Sequence, residues 1–475
     1  MNLAASLLYA AERTPEAEAL VSERERLTFA ALRERAARVA GGLEARGVRR
    51  GDRVACVLRN EPETVELYWG CQWLGACFVP LSYRLSPVDL DYCIEDSEAR
   101  LVVREPEEVR ELWEGREHPG ALDLDESAHS IQLYTSGTTG RPKGVPRTHR
   151  AERAAGLSQI GHHGLGYGHR TLGVMPLYHT MGVHSLLAAS LVGGCYVAQP
   201  SWDVEEALAL IERERISALY LAPTLYYDLV HAPAFGRTDT SSVREVAYAG
   251  APMTGALVEK VAAAFEPAIF VNHYGSTEIY TFSVHRDQRA KPGCAGRPAL
   301  NARLRLEPLA EGADEREGEI LCHMSSDEAF HGYWRRPDAD AKAIRGGWYH
   351  TGDVGRLDED GELWVVGRVD DMIISGGENI HPVEVEDVLA RAPGVREVAV
   401  IGAPDERWGQ RVVACVVAEE GVTAEELDAF CLASETLARF KRPREYRFLA
   451  ELPKSPSGKI LRRLLREQER AGAQA

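Results

Sequence analysis

Residues 134–143 read Tyr134-Thr-Ser-Gly-Thr-Thr-Gly-Arg-Pro-Lys143 and follow a short apolar run. The two glycines allow backbone N–H groups to turn toward one point, and hydroxyl groups surround them, which is the chemistry of a phosphate-binding loop. The common nucleotide-triphosphatase loop differs, because it places Gly-Lys-Ser/Thr together before a helix. Here an Arg-Pro pair separates the last glycine from Lys143. Taken alone, the stretch indicates either an unusual phosphate-binding loop or a flexible surface loop.

The composition indicates a large globular protein. A chain of 475 residues is too long for one ordinary domain, so we expect two or three. A hydrophobic content of 45% suits an enzyme with a large core. The net charge of −17 argues against a nucleic-acid partner, since binding to phosphates requires basic patches.

The sequence contains no apparent targeting or membrane signal. No apolar run reaches the ~20 residues of a membrane span, and the N-terminus lacks the charged and apolar regions of a signal peptide. Nine cysteines without a Cys-x-x-Cys pair are typical of buried thiols in a reducing compartment. We therefore expect a cytoplasmic protein that does not insert into membranes.

Helical and strand patterns alternate from the N-terminus to about residue 290, which predicts parallel βαβ units in a large layered α/β domain. Thr28 is expected to cap the first strongly amphipathic helix, and 105–127 is expected to be a surface connection. The predicted helices are 28–45, 61–74, 88–95, 185–191, 204–214 and 255–265, and the predicted strands are 52–58, 76–80, 101–103, 172–175, 195–198, 218–221, 245–249 and 269–272.

From about residue 293 the pattern changes to short strands with glycine turns, at 302–306, 318–322 and 362–366, which predicts a small β-rich subdomain. A compact α+β unit follows, with a helix over 382–392, strands 395–401 and 411–417 that pair, and a capping box that begins at Thr423. Asp370 lies in a polar segment between two apolar strands, where a hinge is expected.

The sequence of 134–143, continued by Gly144, resembles the signature loop of the adenylate-forming superfamily, which includes acyl-CoA synthetases, peptide-synthetase adenylation domains and luciferases. Further segments match that superfamily in the expected order, so the resemblance covers nearly the whole chain. They are Ala249-Gly-Ala-Pro252, Asn272-His-Tyr-Gly-Ser-Thr-Glu278, Tyr349-His-Thr-Gly-Asp353, Gly367-Arg368 and Pro453-Lys-Ser-Pro-Ser-Gly-Lys459. The resemblance implies an ATP- and acid-binding domain over 1–369 and a mobile C-terminal domain over 370–475.

The resemblance also implies roles for individual residues, although several of these segments also have plain readings as turns or solvated side chains. The implied ATP site consists of Thr135, Ser136, Gly137, Thr138, Thr139, Gly140, Lys143, Ala251, Pro252, His273, Tyr274, Gly275, Ser276, Thr277, Asp353 and Arg368, with Thr138 and Glu278 as ligands for Mg²⁺. Asp353 would accept hydrogen bonds from the ribose hydroxyls, and Arg368 would reach the ribose and phosphates from the opposite side.

The catalytic residues of the family correspond to Lys459, His179 and Glu278. A mobile lysine is useful because the carboxylate and the triphosphate are both anions, and a cation that bridges them lowers their repulsion in the transition state. The family then rotates its C-terminal domain about a hinge, here Asp370, so that a glycine-rich segment at Gly376 and Gly377 replaces the lysine and admits the pantetheine arm of coenzyme A. The two glycines are also compatible with a tight hairpin turn.

A narrower resemblance points to the 4-chlorobenzoate–CoA and benzoate–CoA ligases. It is carried by 367–382, by Asp405-x-Arg-Trp-Gly-Gln410 and by Phe440-Lys-Arg-Pro443, and it implies that Arg84, Trp408, Phe440 and Arg442 contact coenzyme A. The implied acid pocket consists of His179, Thr180, Met181, Tyr220, Ala251, His273, Gly275, Tyr280 and Thr281. Tyr220, His273 and Tyr280 depart from the chlorobenzoate pattern and make the pocket more polar, so a benzoate, a hydroxybenzoate or a related cyclic acid is expected to fit better than chlorobenzoate.

These observations predict an ATP-dependent carboxylic acid–CoA ligase that forms an acyl-adenylate and uses a small carboxylic acid, ATP, Mg²⁺ and coenzyme A. Two alternatives stay open: a medium- or long-chain fatty acid–CoA ligase, and an adenylation enzyme that loads a carrier protein. The sequence contains no oxygen-handling element that would support a luciferase-like oxygenase. A non-catalytic adenylate binder is disfavoured because Lys459, Glu278 and Asp353 are all present. Whether the chain forms a homodimer is also left open.

Overall fold

The computed structural model describes residues 2–135, 141–309, 312, 314–375, 378–454 and 460–472. The helices of this part of the chain are α1 (Ala4–Arg13), α2 (Phe29–Ala45), α3 (Pro62–Leu74), α4 (Pro87–Ser97), α5 (Pro106–Leu112), α6 (His149–His163), α7 (Thr180–Leu191), α8 (Val204–Arg213), α9 (Pro223–His231), α10 (Gly255–Phe265), α11 (Pro337–Ala343), α12 (Pro382–Leu389), α13 (Ala424–Ala433) and α14 (Arg462–Gly472).

The strands are β1 (Glu18–Val21), β2 (Arg26–Thr28), β3 (Arg53–Cys56), β4 (Cys77–Pro80), β5 (Ala99–Val103), β6 (His129–Thr135), β7 (Lys143–Thr148), β8 (Arg170–Gly173), β9 (Cys195–Ala198), β10 (Ala218–Leu221), β11 (Glu245–Tyr248), β12 (Ile269–Tyr274), β13 (Ser283–His285), β14 (Arg297–Pro298), β15 (Leu304–Glu307), β16 (Glu317–His323), β17 (Ile344–Arg345), β18 (Trp348–Leu357), β19 (Leu363–Arg368), β20 (Ile373–Ser375), β21 (Glu378–Ile380), β22 (Val395–Asp405), β23 (Gly409–Ala418) and β24 (Glu445–Phe448). Short 3-10 turns lie at Phe235–Arg237, Val369–Asp371 and Arg439–Lys441.

The largest sheet has the strand order β14-β13-β12-β11-β10-β8-β9-β1-β2, and its strands from β12 to β1 are parallel. A second sheet, β5-β3-β4-β6-β7, is parallel except at β7. The antiparallel sheet formed by β15 to β19 is the predicted β-rich subdomain, and β20 to β24 form the C-terminal sheet. The predicted fold class is therefore confirmed. The parallel arrangement places the carboxyl ends of several strands at one edge of the sheet, where α/β proteins bind ligands.

Local sequence explains many of the elements. Thr28 caps α2, since its hydroxyl accepts a hydrogen bond from the N–H of Ala31 at 3.2 Å, and the predicted apolar face of the helix is buried. The capping box at Thr423 begins α13 as predicted. The strands at 195–198 and 218–221 have the predicted bounds because short apolar runs between turns form fully buried parallel strands.

Several elements differ from the sequence-based expectation, among them α5, α6 and α7. The segment 105–127 is not only a surface connection, because it contains α5, which begins with a proline and a capping box formed by Glu105 and Glu108. Helix α7 begins at Thr180 and not at 185. Helix α6, to which the sequence analysis assigned no element, begins at His149 and is capped by Thr148, whose hydroxyl accepts a hydrogen bond from the N–H of Ala151.

The hydrophobic core of the described residues divides near Asp370. Every cluster of buried side chains consists either of residues up to 366 or of residues from 373 onward. This division is compatible with the domain boundary at 369/370, which stays a prediction. All nine cysteines are buried, as expected from the sequence. Within the described part of the chain, no helix has the length and apolar character needed to span a membrane.

Candidate active site

One part of the site lies where β12 meets the paired strands β18 and β19. The hydroxyl of Tyr274, at the end of β12, donates to Oδ2 of Asp353 at 2.6 Å. Nη1 of Arg368 donates to Oδ1 of Asp353 at 2.8 Å, and the two residues face each other in the β18–β19 register. Three residues predicted for the nucleotide site therefore form one hydrogen-bonded group, in which a carboxylate is fixed from two sides.

A second group surrounds Glu278, whose side chain is buried. Its Oε1 accepts a hydrogen bond of 2.7 Å from the hydroxyl of Tyr333, a residue that the sequence analysis did not identify. The ammonium of Lys143 lies 3.9 Å from the centroid of the Tyr333 ring. Burial lowers the pKa of Lys143 below its usual 10.5, and the negative charge of Glu278 partly offsets this effect. Lys143 and Glu278, which were predicted for the nucleotide site and the metal ion, thus contact the same side chain, that of Tyr333.

The loop from 275 to 281, here called the β12 loop, contains residues predicted for the nucleotide site and residues predicted for the acid pocket. The N–H of Ser276 donates to the carbonyl of Ile279 at 3.0 Å, so the chain turns back sharply. A Cβ atom on Gly275 would lie 1.7 Å from the carbonyl oxygen of Tyr280, which means that only glycine fits at this position. The turn consequently places Tyr280 and Thr281 next to the end of β12.

Several residues predicted for the acid pocket belong to a group of buried rings joined by hydrogen bonds. The hydroxyl of Tyr280 lies 3.1 Å from Oε1 of Gln159 and 3.2 Å from the hydroxyl of Tyr220. Nδ1 of His273 lies 3.1 Å from Nε2 of His163, and the ring of His273 lies 4.6 Å from that of Tyr280. Tyr220, His273 and Tyr280, which were predicted for the acid pocket, are therefore in contact. We call these five residues the ring cluster.

The two histidines of the ring cluster are neutral. Burial lowers the pKa of His273 to about 3 and holds the pKa of His163 well below its usual 6.5. A neutral imidazole can donate from one nitrogen and accept at the other. The cluster therefore offers hydrogen-bonding groups without introducing a charge into the pocket.

Helix α6 supplies the members of the ring cluster that the sequence analysis missed. These members are Gln159 and His163. They are buried on this helix together with Glu152, which lies outside the ring cluster, at spacings of seven and four residues that place the three side chains on one face. This spacing, together with Thr148 as a capping residue, was the sequence signal that could have indicated a helix with a buried polar face. It is easily taken for a solvated polar face, because buried polar residues have the same periodicity.

The remaining predicted acid-pocket residues lie around the start of α7 and the turn after β11. His179 is the residue before α7, its N–H donates to the carbonyl of Pro176 at 2.9 Å, and Thr180 opens the helix. Met181 is buried with its sulfur 3.7 Å from the position of a Cβ on Gly250. Ala251 is half-buried and Pro252 is exposed in the turn that follows β11.

Four residues predicted to contact coenzyme A are described, and each is at least partly exposed to solvent. Trp408, between β22 and β23, is 42% exposed, and Phe440 is 44% exposed. Arg442 forms an ion pair with Asp428, with 3.2 Å between Nη1 and Oδ1. The guanidinium of Arg84 lies 5.5 Å from the ring of its neighbour Tyr83. Two exposed aromatic rings and an already paired arginine are therefore the features offered to a ligand.

Comparison with known proteins identifies the chain. Residues 7–334 match the AMP-binding enzyme family, and residues 384–459 match the AMP-binding enzyme C-terminal domain. The chain belongs to the AMP-binding enzyme family. It is an AMP-forming acyl-CoA synthetase of the adenylate-forming superfamily, as the sequence predicted, and ATP and coenzyme A are the substrates of such ligases.

Relatives of this synthetase act on different acids. It is 36% identical to feruloyl-CoA synthase from Amycolatopsis sp, with 95% of this chain and 96% of that protein covered. It is 34% identical to 4-chlorobenzoate–CoA ligase from Arthrobacter sp, with coverage of 97% and 94%, and 33% identical to long-chain-fatty-acid–CoA ligase from Mycobacterium tuberculosis, with coverage of 93% of each. Among solved structures it resembles an anthranilate CoA ligase in complex with anthranoyl-AMP, with a TM-score of 0.92, 26% identity and coverage of 100% and 98%.

Several predicted residues of the synthetase lie outside the described residues. These are Ser136, Gly137, Thr138, Thr139, Gly140, Gly376, Gly377 and Lys459. Thr135 ends β6 and Lys143 begins β7, so the signature loop connects two adjacent antiparallel strands. Asp370 lies in the 3-10 turn that directly follows β19, and Asp371 in the same turn is tied to α14 by an ion pair with Arg466 at 2.8 Å.

Proposed function

We propose that this synthetase activates an aryl acid of the benzoate type, through an aryl-adenylate, and transfers the acyl group to coenzyme A. The observation that carries the proposal is the ring cluster. An apolar tunnel for an alkyl chain would need a continuous apolar lining, whereas here Tyr220, Tyr280 and Gln159 are buried and joined by hydrogen bonds.

The energetics of the ring cluster favour a short substrate. A long alkyl chain would have to separate hydrogen-bonded groups that are buried, and each polar group left without a partner costs about 1–3 kcal/mol. An aromatic acid can instead pack against the existing rings, since aromatic pairs favour edge or offset contacts with centroids about 4.5–7 Å apart. The ring centroids within the cluster lie at such distances, for example 5.5 Å between Tyr220 and His273.

For adenylate formation we propose that the carboxylate of Asp353, fixed by Tyr274 and Arg368, accepts hydrogen bonds from the ribose hydroxyls. Lys143 would neutralise phosphate charge, and Glu278 fits a Mg²⁺ ion that arrives with ATP, because carboxylates are ligands that Mg²⁺ prefers. The ion would supply further neutralisation of the phosphates when bound. Lys459 would bridge the two anionic reactants, and His179 would lie beside the acid carboxylate.

For thioester formation we propose that the domain over 370–475 rotates about Asp370 and presents its coenzyme A face. The exposed rings of Trp408 and Phe440 would contact the pantetheine and the adenine, and Arg442 and Arg84 would contact phosphates. A cytoplasmic location would suit these soluble substrates.

Two alternatives follow from specific observations. The long-chain-fatty-acid–CoA ligase among the relatives supports an alkyl acid as substrate. Since Arg442 is already paired with Asp428, a carrier protein with its own pantetheine arm is a second candidate acceptor.

A substrate panel tests the proposal. Pyrophosphate release would be measured with benzoate, 4-hydroxybenzoate, cyclohexanecarboxylate, octanoate and palmitate, and thioester formation with coenzyme A and with a pantetheinylated carrier protein. We expect a benzoate-type acid to give the highest kcat/KM and coenzyme A to be the better acceptor. A higher kcat/KM for palmitate than for every cyclic acid would contradict the aryl-acid proposal.

A further inference from the structure

A completely buried charge cluster lies behind the β12 loop. It consists of Arg147 on β7, Glu152 on α6 and His184 on α7, none of which is exposed to solvent. Nε of Arg147 donates to Oε1 of Glu152, and Nε2 of His184 lies 3.2 Å from Oε2 of Glu152. Burial alone would raise the pKa of Glu152, but His184 and Arg147 together lower it to about 2, so the carboxylate is charged.

Stability alone is a weak reason for such a cluster. The free-energy cost of removing two charges from water is about as large as the stabilisation from their mutual attraction. Well-packed apolar residues of similar size therefore often replace a buried ion pair without loss of stability. A second role is therefore expected where the charged groups also contact something functional.

The cluster contacts the β12 loop on both of its flanks. Nη1 of Arg147 lies 3.0 Å from the carbonyl oxygen of Thr277 and 3.4 Å from that of Glu278, and it also lies 3.1 Å from the carbonyl oxygen of Glu328. On the other flank, the ring centroid of His184 lies 3.7 Å from that of Tyr280. One buried cluster thus holds the backbone beside the proposed metal carboxylate and the ring of an acid-pocket tyrosine.

We propose that Arg147 is a positioning residue for adenylate formation, which fixes the β12 loop from inside the protein so that Glu278 and Tyr280 keep their separation, while Glu152 compensates its charge and His184 lies against the other carboxylate oxygen of Glu152. The inference rests on the roles proposed above for the β12 loop. It does not depend on whether the acid is aromatic. Its physical basis is that a small displacement of groups that orient two reactants lowers the rate of the reaction between them.

Paired substitutions separate positioning from stability. Arg147→Met leaves Glu152 buried without its cation, so both the thermal unfolding midpoint and the kcat of pyrophosphate release should fall. In Arg147→Met/Glu152→Leu both charges are removed, so the midpoint should return to within about 5 °C of the wild-type value. We expect kcat to stay about ten- to hundredfold below wild type in the double variant, because the contacts to the loop carbonyls are still missing.

A control and a second variant make the test decisive. Arg35→Met/Glu66→Leu removes a partly buried arginine–glutamate contact, which lies between α2 and α3 with 3.1 Å between Nη1 and Oε1, and it should leave kcat within about twofold of wild type. Arg147→Lys keeps the charge beside Glu152 but lacks the guanidinium fork, so it should stay folded and still lose at least about fivefold in kcat.

Recovery of kcat together with stability in the double variant, or full kcat in Arg147→Lys, would overturn the proposal. Each assay uses the best acid from the substrate panel. If that acid is a fatty acid, the aryl-acid proposal fails while the role of Arg147 is still measured.

Discussion

Tyr280→Phe should change acid selectivity by removing one hydroxyl from the ring cluster. In the wild type this hydroxyl lies 3.1 Å from Oε1 of Gln159 and 3.2 Å from the hydroxyl of Tyr220, and all three side chains are buried. The substitution keeps the ring, so the shape of the pocket is nearly retained. What changes is the supply of polar partners for a substituent on the acid.

The size of the effect follows from the hydrogen bonds that are lost. A buried polar group left without its partner costs about 1–3 kcal/mol, so we expect the free energy of unfolding to fall by about that amount. If 4-hydroxybenzoate uses the same hydroxyl, its kcat/KM should fall about tenfold or more relative to that of benzoate, since 1.4 kcal/mol corresponds to a factor of ten.

Tyr226→Phe is a matched control for this measurement. The Tyr226 hydroxyl is buried in the same hydrophobic cluster as Tyr280, and it lies 3.0 Å from the carbonyl of Leu219 and 2.8 Å from that of Ala247. This variant should lose similar stability in urea unfolding but keep the wild-type ratio of kcat/KM for the two acids. An unchanged ratio in Tyr280→Phe, or an equal change in both variants, would refute the assignment of the ring cluster to the acid pocket.

Three further predictions concern the half-reactions, coenzyme A and acid stability. In single-turnover assays Lys459→Ala should slow adenylate formation by at least ~10², while transfer from a pre-made adenylate should stay within about threefold of wild type. Asp370→Pro should mainly slow the transfer, because its 3-10 turn accepts the fixed φ of proline and is then held in one conformation. Equal damage to both steps in a folded Lys459→Ala variant would contradict a mechanism in which the C-terminal domain takes one position for each step. Arg442→Ala should raise the KM for coenzyme A about three- to tenfold without affecting pyrophosphate release. The effect is modest because the ion pair with Asp428 and the solvent weaken the contact between Arg442 and a coenzyme A phosphate. An unchanged KM for coenzyme A would exclude Arg442 from the coenzyme A site. Urea unfolding should show a lower free energy of unfolding at pH 5 than at pH 7, by about 1.4 kcal/mol per proton and pH unit, because histidines of the unfolded chain take up protons near pH 6.5 that the buried histidines do not. Glu66, whose pKa burial raises to about 8, is protonated in the folded chain at both pH values and offsets the loss from one histidine. Equal stability at both pH values would contradict the prediction. The buried histidines whose pKa burial lowers in this way are His149, His162, His163, His169 and His273, and burial also lowers the pKa values of the half-buried His129 and His285.

The sequence predicted those parts of the fold in which local signals and tertiary structure agree. The runs 195–198 and 218–221 are apolar and bounded by turns, and they form buried parallel strands with the expected bounds. Helix α5 was missed because its capping box begins with Glu105, and glutamate is not among the residues that usually cap helices. The domain boundary at Asp370 stays a prediction.

The candidate site was only partly predictable, because its residues are distant in sequence. The resemblance gave Tyr220 and Tyr280, whose hydroxyls lie 3.2 Å apart although 60 positions separate them. It did not give Gln159 or His163, since α6 turns its polar face inward and hydrophobic periodicity assigns polar residues to the solvent side. Arg147 was missed for a related reason: an arginine in a strand is expected at the surface, and its burial becomes understandable only with Glu152 beside it.

The burial of every cysteine has a practical consequence for testing the proposed domain rotation. Thiol-reactive dyes attack the exposed thiolate, so the folded synthetase should resist labelling until it unfolds. A pair of cysteines introduced at exposed positions, such as Leu309 in the N-terminal region and Leu432 on α13, could then carry a donor and an acceptor fluorophore without removal of any native thiol. Energy transfer between the two dyes, recorded as ATP, acid and coenzyme A are added in turn, would report the distance between the two parts of the chain during catalysis.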